Sequence, residues 1–176
     1  MSDTGLGLRQ GTLGFVAHRP AWALAYRDEV ARITARLPET PFRIDHIGST
    51  AVPGLLAKPI LDIGMQARDH ARVARALGAL GYIDRGERSG RLFVRLHDSD
   101  IRTHNLHLYA PNAPELVAQI AFRDRLRADP DLCAAYAAEK RRIFAETNGQ
   151  RRGYAEAKTD FILAACPGAR PAPSKG

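Results

Sequence analysis

Between Pro20 and Pro38, apolar side chains recur every three or four positions, at Trp22, Ala23, Tyr26, Val30, Ile33 and Leu37. That period predicts an amphipathic helix over 20–37, opened by a proline in its first turn. Phe42 to Ile47 instead alternates with period two and stops at Gly48, which predicts a short strand. Lys58-Pro59-Ile60-Leu61-Asp62-Ile63-Gly64-Met65 is apolar and bounded by a proline, the mark of a buried strand. Asp69 is placed to cap a helix that runs through Leu80 and ends at Gly81. Arg91 to His97 and Ile101 to Tyr109 read as two strands joined by a tight turn at Asp98-Ser99-Asp100. From Pro114 the pattern is helical, with helices expected over 114–128, 131–147 and 152–165, separated by Asp129-Pro130 and Asn148-Gly149. The Gly-rich, weakly patterned residues 1–17 are expected to be flexible, and the Pro/Gly/Ala tail 167–176 disordered. A helix, a small mixed sheet and a helical C-terminal third make one α+β domain over 18–166.

Composition adds limits. At 176 residues, with 45% hydrophobic and 26% charged residues, the chain can bury one core, and a mostly disordered polypeptide is excluded. A formal charge of +7 raises nucleic acid or phosphate as a partner. The surplus is spread along the chain with no basic block or tail, which disfavours a nucleic-acid surface. Of the 26 cations only Lys58, Lys140, Lys158 and Lys175 are lysines, so each is singled out in an otherwise arginine-using chain. Two cysteines, no secretory signal pattern and no long apolar run predict a cytoplasmic protein that makes no membrane contact.

The chemistry concentrates in HIGSTAVPGLLAKPILDIG, His46 to Gly64. A strand delivers Gly48-Ser49-Thr50 into a turn, where backbone N–H groups, two hydroxyls and a glycine without a Cβ can approach a phosphate. A second strand then presents Asp62, a carboxylate suited to Mg²⁺, with Lys58 just before it as a compact cation. By residue type alone, the Gly-Ser-Thr turn is also ordinary loop chemistry. A strand-end aspartate serves equally as a cap or an ion-pair partner.

The same stretch resembles the signature of the GrpB family, whose fold is that of the nucleotidyltransferases. FRDRLRADPDLCAAYAAEKRRIF (122–144) and YAEAKTDFI (154–162) are similar to that family's C-terminal helices, and His18-Arg19-Pro20-Ala21-Trp22 to its N-terminal Pro-x-Trp motif. The resemblance implies that Gly48 and Ser49 grip a triphosphate and that Asp62 is the first of two metal-binding carboxylates. It further implies that a third acid often stands on a neighbouring strand to activate the acceptor hydroxyl. Gly64 stands where the second acid belongs, a thin cage for Mg²⁺. Asp45, Asp100 and His107 are the candidates to supply it.

Three of the four lysines fall inside the GrpB-like segments. Lys58 is therefore expected on phosphate, with Lys140, Lys158 and Arg123 lining the same pocket; the alternative for Lys140 is a solvated surface charge. On the strand 101–109, period two puts Asn105, His107 and Tyr109 on one face and His104 on the other. His107 is the candidate general base, and His46 is expected to orient the Gly-Ser turn through a hydrogen bond. The expected function is transfer of a nucleotidyl or phosphoryl group from a nucleoside triphosphate, ATP foremost, to a small acceptor with Mg²⁺, or activation and ligation of that acceptor. Asp62, Ser49, Lys58 and His107 would act in it; Gly48, Ser49, Thr50, Lys58, Arg123, Lys140 and Lys158 would bind nucleotide. The alternative is a non-catalytic nucleotide- or CoA-binding module, since GrpB-like domains also occur fused to a dephospho-CoA kinase.

Overall fold

The computed structural model describes residues 4–147 and Ile162. Its elements are β1 (Leu8–Arg9), α1 (Ala21–Arg36), β2 (Phe42–Ile47), a 3-10 turn (Ser49–Ala51), β3 (Leu61–Ala67), α2 (His70–Ala79), β4 (Tyr82–Arg88), β5 (Gly90–His97), β6 (Ile101–Tyr109), α3 (Pro114–Ala128) and α4 (Pro130–Glu146). The strands form one mixed sheet in the order β2-β3-β6-β5-β4, with β1 paired to the start of β6. Only β3 and β6 run parallel; the other neighbours are antiparallel. This is the α+β arrangement expected.

Two of the four helices among the described residues, α2 and α4, start at a side-chain cap. Asp69 accepts from the Arg72 N–H and Asp129 from the Leu132 N–H, each fixing the start of the next helix. The strand expected from Lys58 begins instead at Leu61, because Lys58 and Pro59 belong to the link that follows the Val16–Ala57 bridge. β4 went unpredicted: after Tyr82 its residues are exposed, and its pairing with β5 is broken by an irregularity between Asp84 and Glu87, so no alternation betrays it. From Thr4 the N-terminal stretch runs along the sheet: Gly7 N–H bonds the Pro59 carbonyl, β1 pairs with β6, and the Trp22 indole donates to the Thr4 carbonyl. The helix expected over 152–165 and the tail 167–176 lie outside the described residues, apart from helical Ile162.

One face of the sheet packs on α1 and α2 through Ile33, Leu37, Ile63, Met65, Leu77, Phe93 and Leu106. Within it α1 breaks its own apolar pattern, for Ala23 is exposed and Glu29 is buried. Glu29 accepts from Arg95, Arg32 and the Tyr82 hydroxyl, an ionic cluster inside the core. Burial pushes the Glu29 carboxyl up, opposed by Arg32 and Tyr82. The opposite face is covered by α3 where Leu116 meets Ile47 and Tyr109. Phe122 and Tyr136 pair edge to face over Val52 and Leu55 of the link between β2 and β3. At the edge strand β2, the Ile44 carbonyl accepts from the Tyr26 hydroxyl and the His46 carbonyl from Arg123.

Candidate phosphate-binding site

The end of β2 and the start of β3 are neighbours, with Ile47 opposite Asp62 and Asp45 opposite Gly64. Gly48 leaves β2 with φ of 70°, and a Cβ there would lie 2.6 Å from Asp62 Oδ2, so only glycine fits between the turn and the carboxylate. Gly48 and the Asp62 carboxylate are thus in direct contact. Asp62 Oδ1 accepts from Asn105 Nδ2 at 2.8 Å; Asn105 lies opposite it on parallel β6.

Lys140 reaches this turn from α4. Its Nζ donates to Ser49 Oγ at 2.9 Å and to the Leu56 carbonyl, and lies about 5 Å from the rings of Phe15 and Tyr136. At 1% exposure it is a buried cation and no solvated surface charge. Because Ser49 Oγ accepts from Lys140, its own O–H remains able to donate outward to an anion. Arg127 donates twice to the Ala51 carbonyl, and Arg123 donates to the His46 carbonyl while pairing with Asp45 and Asp124. Arg123 therefore braces β2, and Lys140 holds the turn from below.

Thr50 is buried, and its hydroxyl lies 3.0 Å from His46 Nε2, whose ring stacks on Tyr26. His46 orients the turn, as expected, and Thr50 spends its hydroxyl on that contact. Burial pushes His46 down to about 4, with further push from the Arg127 and Arg123 guanidiniums. Lys58 is half-buried in the link before β3, and Lys158 lies outside the described residues.

On β6, Asn105, His107 and Tyr109 do share the face of Asp62 and Gly64. His107 Nδ1 lies 2.8 Å from the Ser89 carbonyl. A carbonyl only accepts, so Nδ1 carries a proton and Nε2 is the ring nitrogen left for other partners. His104 faces the other way, between Arg95 and Tyr82, and burial pushes it down to about 4.

The acidic positions decide the metal question. A Cβ at Gly64 would overlap Leu116 Cδ1 and crowd Ile47, so the place of the second carboxylate is occupied by apolar side chain. The neighbouring-strand position is the neutral Asn105. Asp45 is committed to Arg43 and Arg123, and Asp100 lies in the β5–β6 turn on Arg9. Among the described residues no three of His, Cys, Asp and Glu converge as a metal site. The residues present do not fit a two-metal cage. Sequence reasoning placed Asn105 on the His107 face but not against Asp62, and missed Leu116, because only strand register and helix docking bring them to Asp62 and Gly64.

The family model described as GrpB protein matches residues 12–167. A UPF0157 protein of Streptomyces coelicolor, SCO7215, is 36% identical over 86% of this chain and 81% of its own length. The UPF0157 protein YqkA of Bacillus subtilis is 30% identical over 85% of this chain, which spans 45% of that protein. The crystal structure of conserved protein GrpB from Enterococcus faecalis superposes with a TM-score of 0.71 and 26% identity, covering 86% of this chain and 99% of that one. Among the described residues no helix is long and apolar enough to cross a membrane.

Proposed function

This chain belongs to the GrpB protein family, and on that premise we propose that it binds the phosphate chain of a nucleotide or CoA-like small molecule at the Gly48-Ser49 turn. The observation that carries the reading is the 2.9 Å bond from buried Lys140 to Ser49 Oγ. It fixes a donor hydroxyl and a positive charge at a turn whose glycine lets the backbone lie close against Asp62. Lys58 stands near the turn in sequence and is the further cation for an outer phosphate. Group transfer to an acceptor is the second reading; what favours it is His107, an imidazole on the same face as Asp62. No step through Mg²⁺ follows from the residues present.

Thermal shift with ATP, CTP, GTP and CoA tests the binding reading. Stabilisation by at least one of them that Ser49→Ala weakens is expected. No shift with any of the four would defeat it.

A further inference from the structure

We infer that this site takes its phosphorylated ligand without a divalent metal, the phosphate charge being met by cations of α3 and α4. The inference rests on the phosphate-binding reading above and concerns what neutralises the ligand. A two-metal site needs several anionic ligands around the phosphate oxygens. Here Asp62 is a single carboxylate, its Oδ1 is already taken by the Asn105 amide, and the place two residues along β3 lies under fully buried Leu116. The Asn105 orientation is fixed by chemistry, since turning the amide would set its oxygen against the carboxylate.

Cations border the turn. Lys140, Arg123 and Arg127 bind Ser49 Oγ, the His46 carbonyl and the Ala51 carbonyl; Asp124 takes part of the charge of both arginines and Asp45 part of that of Arg123, so the field at the turn rests foremost on buried Lys140. Their field reaches His46, which both arginines disfavour in its protonated form. An anion at the turn gains from this field with no bridging cation. Asp62 Oδ2, beside Gly48, then faces hydroxyl or amine donors of the ligand, and its charge opposes a bare phosphate chain.

That sign gives the experiment. Titration calorimetry of the full chain with ATP and with inorganic triphosphate is run in EDTA and in excess Mg²⁺, on the unaltered protein and on Asp62→Asn, which keeps an acceptor for Asn105. ATP affinity in EDTA is expected within about threefold of that in Mg²⁺. Asp62→Asn should bind inorganic triphosphate at least as tightly as the unaltered protein. Binding that appears only with Mg²⁺ overturns the inference and leaves the phosphate-binding reading standing. So does loss of triphosphate binding in a folded Asp62→Asn. Absence of binding by either probe in both conditions overturns the two together. The EDTA comparison on the unaltered protein stands even if Asp62→Asn fails to fold.

Discussion

Lys140 and Ser49, 91 residues apart in sequence, are joined by a 2.9 Å hydrogen bond from the ammonium to the hydroxyl. The bond makes α4 part of the turn it faces. Lys140→Met strips a donor from both Ser49 Oγ and the Leu56 carbonyl. An acceptor left unpaired in a buried place costs about 1–3 kcal/mol; both acceptors here are half-buried, so urea denaturation should show a loss at the lower end of that range. The same variant should weaken ATP binding in calorimetry beyond what Ser49→Ala does, because it removes the charge as well as the positioning bond.

Gly64 is predicted to reject any side chain. Gly64→Ala drives a Cβ into Leu116 and should cost about 1–3 kcal/mol by denaturant unfolding, as overpacked cores do. Combining it with Leu116→Ala should show a favourable coupling energy in a double-mutant cycle. Strictly additive losses would mean that Leu116 does not fill the place.

Acid should unfold this protein through its histidines. His46 and His104 have an ordinary value of 6.5 and are pushed down to about 4 in the folded chain. Between those values the unfolded chain binds more protons, so stability is full above pH 6.5 and falls as pH drops toward 4. The slope is about 1.4 kcal/mol per pH unit for each histidine. Urea melts at stepped pH should show it, and His46→Gln should remove about half of the slope in that window.

Glu29 is the buried charge on which α1, β4 and β5 converge. Glu29→Ala leaves Arg95 and the Tyr82 hydroxyl without their acceptor and should cost about 3 kcal/mol in denaturant unfolding. Glu29→Gln, which keeps an acceptor oxygen, should lose less.

What could be read from the sequence follows a physical divide. Caps, prolines and local periodicity act over a few residues, so the bounds of α3 and β2 and the cap at Asp69 were legible. Gly48 and Asp62 were legible as motif residues, but their contact depends on the pairing of β2 with β3. β4 was not, because an exposed charged edge has no pattern to show. Glu29 was hidden in another way: at its position in α1 the core accepts a charge only because Arg95 and Tyr82 arrive from distant strands. The closure of Gly64 by Leu116, and the register that sets Asn105 against Asp62, depend on how α3 and β6 dock.

The two side-chain caps on β2 have a consequence for how this protein meets others. With the Ile44 and His46 carbonyls already taken by Tyr26 and Arg123, that rim offers a visiting peptide few groups to zip onto. The opposite rim, β4, is irregular and studded with Asp84, Arg85, Glu87 and Arg88. Sheet extension from one molecule to the next is therefore discouraged at both margins, so a partner that docks on this chain must read helices and loops, and crowded copies have no ready seam along which to polymerise.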